Sequence, residues 1–235
     1  MERLSDVDGI RESRHKRPVR ITHWVNVLSF VALTVSSIGI LLAHPRFYWG
    51  ETGFFDTPAA FELPFEANLE DLWVRALGRQ VHFLAAWVAV LNGLVYVVWG
   101  FYTGHFRFNF VPDRRQLEWK SITALLGRHL RLQNPSEPSG YNMLQKLAYS
   151  GVVFGLLPLL ILSGLTMSPG FTAAFPQLFT LFGGRQSART IHFILAIVLI
   201  LFVAIHVFMT FLAGFRRTVM PMIGGGYSGQ IGEKQ

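Results

Sequence analysis

Two histidines interrupt an otherwise apolar stretch, RTIHFILAIVLILFVAIH (189–206). Imidazole is costly in hydrocarbon, and ionisable side chains inside a membrane mark functional sites. His192 and His206 are 14 residues apart. In a helix that separation is about four turns, roughly 21 Å of rise, and the second ring returns to within about 40° of the first. One helix therefore presents two imidazoles from nearly one face, at two depths. Rings so placed can ligate metal together with partners on other helices, or make interhelical hydrogen bonds.

The elements that carry these rings must lie in a bilayer. Of 235 residues, 51% are hydrophobic and 15% charged, a membrane composition diluted by polar loops. Four apolar runs, about Ile21–Ala43, Val81–Tyr102, Leu144–Ser168 and Arg189–Gly214, each approach the ~20 residues needed to cross. The first is unlike a signal peptide, being long, preceded by a polar tail and followed by no A-x-A site. Cysteine is absent, which removes disulfides, iron–sulfur ligation and the C-x-x-C-H attachment of haem. Any haem is held noncovalently.

Basic residues set an orientation. Residues 1–20 carry six Lys and Arg, the 103–146 segment seven and the C-terminal tail three; the other two loops hold only Arg46, Arg75, Arg79, Arg185 and Arg189. The positive-inside rule places both termini and the 103–143 loop in the cytoplasm. Loops 44–80 and 169–188 then face the periplasm of a Gram-negative cell. The chain divides into a basic cytoplasmic tail (1–20), a four-span domain (21–214) and a cytoplasmic C-terminal tail (215–235). The same bias explains the pI of about 10.1, and nucleic acid is not an expected partner.

With this orientation the histidines fall at two levels. His82 and His192 lie near the outer ends of spans two and four. His23 and His206 lie near the inner ends of spans one and four. Two imidazoles at one depth on different helices suit the axial positions of one haem, and bundle cores commonly house such sites. With both positions filled, no site remains for oxygen or substrate, so the iron only changes valence and the task is electron transfer. Arg20, Arg79 and Arg189 each precede His23, His82 or His192 by three and share its helix face. Each is expected one turn nearer the membrane surface, placed for a haem propionate; snorkelling at a helix end is the alternative use.

Other segments are read from their patterns. The loop 44–80 is acidic, with Glu51, Asp56, Glu62, Glu66, Glu70 and Asp71, and either docks a partner or is solvated. LEWKSITALLGRHLRL (117–132) has the stripe of a short helix lying on the inner surface. Pro158 should kink the third span. Gly151 and Gly155 allow close helix packing or leave room for a flat cofactor. His105, about 140° around the helix from His82, is expected to face elsewhere, and His15, His44 and His129 fall in tails or loops.

Four spans, one histidine on each of the first two and two on the fourth resemble a known family. It comprises the di-haem cytochrome b subunits of membrane-bound nickel–iron hydrogenases, formate dehydrogenases and related bacterial cytochromes b. RITHWVNVLSF (20–30), RQVHF (79–83), GYNMLQK (140–146) and RTIHFILAIVLILFVAIH carry the resemblance, which covers nearly all but the tails. It implies an all-α, four-helix transmembrane bundle with two b haems, the outer held by His82 and His192 and the inner by His23 and His206. GYNMLQK is similar to the family's Y-N-x-x-Q-K segment at a quinone pocket, which makes Asn142 and Gln145 candidate quinone contacts; capping of the helix start is the other use of Asn142. The stretch from LTMSPG to RTIHF (165–193) resembles a subgroup paired with periplasmic molybdenum-cofactor oxidoreductases.

The expectation is an inner-membrane protein that passes electrons between a periplasmic redox subunit and the quinone pool. Two alternatives stand beside it: a self-contained quinol-oxidising cytochrome of the same fold, and a haem-free transporter or scaffold. The transporter reading calls for paired broken helices or inverted repeats. No repeat is found, and only the third span has an internal proline.

Overall fold

The computed structural model describes residues 16–53, 57–64, 72–110 and 143–224. It contains four helices long and apolar enough to cross a membrane: Arg17–Ala43, Ala76–Tyr102, Met143–Thr166 and Arg185–Leu212. The second belongs to a longer helix, Leu72–Tyr102. These are the four expected runs, and three of them begin a turn or more earlier than hydropathy alone suggests. Arg17, Arg20, Arg79, Arg185 and Arg189 fall within helix, where long stems keep the charged heads near the membrane surface.

Many of the buried residues of the spans are small and polar, among them Thr22, Ser29, Ser36, Ser163, Thr166 and Thr190, while Met143 and Lys146 at the start of the third span are larger. Leu28, Val35, Leu84, Leu91 and Leu201 are exposed. A bilayer accounts for this inversion. Lipid tails are as apolar as leucine, so helices associate through close backbone approach and hydrogen bonds.

The spans form two antiparallel pairs. The first and second pack along their length, and the fourth packs against the Leu157–Thr166 half of the third. At one point the first pair touches backbone to backbone. A Cβ on Gly78 would lie 2.9 Å from the Ser36 carbonyl oxygen and 3.4 Å from Gly39 Cα. Deeper in, Asn92 Nδ2 donates to the Thr22 carbonyl and to Asn26 Oδ1, each at 2.8 Å. Between the two pairs, among the described residues, close backbone approach is confined to isolated points.

At Pro158 the third span changes its winding. Val152–Leu156 forms a π turn, and the α-helix resumes at Leu157 with the proline in its first turn. There the missing N–H and the ring are tolerated. Gly151 and Gly155 do not mark a close helix contact. A Cβ on either would meet nothing within 4 Å among the described residues.

Each end of the bundle is tied. After the first span, Arg46–Phe47 pairs antiparallel with Phe61–Glu62, and the Phe47 ring packs on Phe61 and Phe193 at 4.6 and 4.5 Å. The Gly50 carbonyl accepts the N–H groups of Gln186 and Ser187 at 3.1 Å, satisfying donors that a helix start leaves open. Gly184, at φ 103°, is required here, because a Cβ would fall 2.5 Å from that carbonyl oxygen. Thr190 Oγ1 donates to the Tyr48 carbonyl at 2.7 Å. Part of the loop expected to be solvated or partner-bound is thus folded onto the fourth span. At the opposite end the helix Phe215–Gly224 follows the fourth span. Its late carbonyls are taken from the first span: Trp24 donates to Met222 at 3.0 Å, and Arg20 to Met222 at 3.2 Å and to Ile223. The surface helix expected at 117–132 lies outside the described residues.

Candidate functional site

His82 and His192 sit on different helix pairs and face each other, ring centroids 6.4 Å apart and planes crossed at 66°. An imidazole nitrogen lies about 1.2 Å from its ring centre and about 2.0–2.1 Å from a first-row metal it binds, so two trans imidazoles on one ion stand roughly 6–6.5 Å apart. The observed separation meets that requirement.

Hydrogen bonding directs the ring nitrogens. His192 Nδ1 lies 2.9 Å from the Leu160 carbonyl oxygen and 3.1 Å from Ser163 Oγ. His82 Nδ1 lies 3.2 Å from Ser36 Oγ, which itself donates to the Leu33 carbonyl at 3.1 Å. The Leu160 carbonyl can only accept, as can a serine hydroxyl whose proton already goes to a backbone carbonyl, so each Nδ1 carries the proton and donates, which leaves the Nε2 lone pair of each ring as the ligating position. Ligating histidines are characteristically oriented in this way. Gly164 makes room for the arrangement, since a Cβ there would come within 3.2 Å of His192 Cε1.

His23, on the first span, and His206, on the fourth, fall toward the other end of the bundle. The His206 ring stacks near Phe202 at 6.2 Å and meets Tyr149 edge-on at 6.4 Å; the His23 ring meets Trp24 edge-on at 5.6 Å. The His82/His192 couple bridges the two helix pairs where the backbones stand apart. With the open surface at Gly93, Gly151 and Gly155, where a Cβ would meet nothing described, the donor set and the space suit a flat macrocycle with two axial imidazoles.

The remaining candidates divide. Arg79 is exposed one turn from His82. Arg189 donates to the carbonyls of His44 and Arg46 and lies over the Phe47 ring at 4.8 Å. Arg20 is used on the last helix, as described. Gln145 is half-buried, one turn from Tyr149 and hence from the ring that meets His206. Asn142 lies outside the described residues. His105 does not join either couple. It begins a short helix after Gly104 and packs among Tyr96, Trp99, Phe106 and Phe110. Burial, and then the nearby Lys16 ammonium, hold its pKa below the ordinary imidazole value.

Sequence reasoning missed Ser36 and Ser163. The signal was there in LTVS (33–36) and LILS (160–163), the same Leu-x-x-Ser spacing in spans one and three, but it has meaning only once each serine is seen beside a histidine of the next span.

The chain is 32% identical over 212 residues to a putative protein-methionine-sulfoxide reductase subunit, YedZ1, of Azospira oryzae, covering 90% of this chain and 96% of that one. It is 28% identical over 224 residues to a probable Ni/Fe-hydrogenase B-type cytochrome subunit of Azotobacter chroococcum, and 27% to the corresponding protein of Azotobacter vinelandii, covering in each case 90% of this chain and 86% of the relative. No solved structure matches. The profile of the prokaryotic cytochrome b561 family matches residues 14–225, nearly the whole chain, four spans and both histidine couples included, and the chain belongs to that family.

Proposed function

We propose that this protein is a di-haem electron conduit of the bacterial inner membrane. It passes electrons between a redox subunit on the periplasmic face and quinone near the cytoplasmic face. Membership of the family already makes it a multi-pass membrane cytochrome that uses haem b in electron transfer. Haem supplies a one-electron couple at iron; the chain supplies what holds and insulates it. His82 and His192 hold one haem and His23 and His206 the other. Arg79 is placed for a propionate of the first, while Arg20 and Arg189 have donors left over after their carbonyl contacts. Gln145 and Asn142 contact the quinone head beside the His23/His206 couple.

The observation that carries this reading is the 6.4 Å approach of His82 and His192 across the helix pairs, with each Nδ1 bonded away. The charge bias of the loops supports the orientation, with His82 and His192 outermost. The names of the relatives support a redox enzyme as partner. A sulfoxide reductase is favoured over a hydrogenase, because the relative so named is more identical and is covered more fully.

Haem quantification with redox titration tests the proposal. The wild type should bind two haems per chain. His192→Ala should lose one and leave the other titrating as before, and His206→Ala should do the reverse. Two normal haems in His192→Ala, or none in the wild type, would refute it.

A further inference from the structure

The facing histidines are held by one device used twice. On the first span Ser36 Oγ donates to the Leu33 carbonyl at 3.1 Å and lies 3.2 Å from His82 Nδ1. On the third span Ser163 Oγ donates to the Leu160 carbonyl at 2.9 Å and lies 3.1 Å from His192 Nδ1. The His82 N–H is given to the Ser36 oxygen, and the His192 N–H is shared between the Ser163 oxygen and the Leu160 carbonyl, 2.9 Å away. Both serines are buried. Among the described residues, no hydroxyl is hydrogen-bonded to the imidazole ring of His23 or His206, Thr210 Oγ1 reaching only the His206 backbone carbonyl, so the device belongs to one end of the bundle.

We infer that Ser36 and Ser163 are positioning residues that fix the plane and the electron donation of the His82 and His192 imidazoles. The inference rests on the reading that these two histidines ligate one haem. A hydroxyl whose own proton is committed to a backbone carbonyl can only offer a lone pair to the ring N–H. It cannot turn and donate, so the proton stays on Nδ1 and Nε2 stays a ligand. Two such anchors, one on each helix pair, hold the planes crossed at 66°. Acceptors at Nδ1–H make an imidazole more basic, which stabilises ferric over ferrous iron. The serines thereby lower the potential of this haem and leave the other untouched.

The test uses the full-length protein in detergent, with Ser36→Ala, Ser163→Ala and the double variant. Ser37→Ala is the control, because Ser37 makes the same kind of backbone bond, to Thr34 at 2.7 Å, without contacting a histidine. Outer-shell partners of metal ligands typically matter by 10–100-fold in affinity. A tenfold loss of ferric relative to ferrous affinity raises a one-electron potential by about 59 mV. The double variant should keep two haems and show a rise of that order in one of them. The low-spin electron paramagnetic resonance signal of that haem, which reports the angle between axial imidazole planes, should change with it. The other haem and the Ser37→Ala protein should match the wild type. His206→Ala, which retains only the His82/His192 centre, assigns the titration. Should Ser163→Ala not accumulate, Ser36→Ala carries the same expectation from the other helix pair. Unchanged or lowered potential with an unchanged signal overturns the inference, as does an equal shift of both haems. A wild type without haem would instead strike the reading beneath it.

Discussion

Gly78→Ala is the sharpest test of how the fold serves the site. A methyl at this position points at the first span, 2.9 Å from the Ser36 carbonyl oxygen and 3.4 Å from Gly39 Cα. Ordinary carbon–oxygen contacts sit near about 3.3–3.6 Å, so roughly half an ångström must be found. The obstructing atoms are backbone and cannot rotate away. The two helices must separate locally, in the turn that holds His82. Overpacking of this kind costs about 1–3 kcal/mol, which at about 1.36 kcal/mol per decade is a factor of roughly 5 to 150 in the equilibrium. Thermal unfolding of the purified protein in detergent measures the cost, and haem content per chain shows where it falls. The variant should melt lower and lose haem from the His82/His192 centre first. A melting temperature and haem load equal to wild type would mean that the Gly39–Gly78 contact does not set the position of His82.

Two more perturbations follow from the geometry. Thr190→Val keeps the shape but removes the donor to the Tyr48 carbonyl. Leaving that buried acceptor unpaired should cost about 1–3 kcal/mol, at about 2–4 °C of melting temperature per kcal/mol, and an unchanged melt would show that water replaces the hydroxyl. His105 gives a pH dependence. Its folded pKa lies below the ordinary 6.5, so below that pH the unfolded chain binds more protons than the folded one. Stability should fall as the pH drops through 6.5 and level off beneath the folded value. His105→Phe fits the aromatic surroundings and should lose that part of the acid sensitivity; wild type and variant melting in parallel between about pH 7 and pH 5 would exclude the contribution.

What could be read from the chain, and what could not, follows from range. The spans and the four histidines were legible because hydropathy and 3.6-residue spacing are local. The meeting of His82 with His192 was legible from depth alone, since loop charge ranks every residue along the membrane normal. Lateral relations were not. Ser36, Ser163 and Gly78 are unremarkable in their own helices, and their roles arise from atoms contributed by a neighbouring span. The docking of Tyr48 and Gly50 on the fourth helix was hidden for a similar reason, because backbone carbonyls leave no mark on sequence. Gly151 and Gly155 show the reverse error, a spacing that commonly signals helix contact and here borders open space. Asn142, suggested by the resemblance, and the 117–132 helix, suggested by its apolar stripe, lie outside the described residues.

The separation of the two helix pairs bears on how such a molecule is made. Each hairpin has its own internal contacts, Gly39 on Gly78 and Asn92 on Asn26 in one, the Leu160 turn on His192 in the other. On the proposed ligation, what unites them across the middle is the set of ligands they offer to a shared haem. Acquisition of the pigment would then be the closing step of biogenesis, and cellular haem supply would govern how much mature protein accumulates.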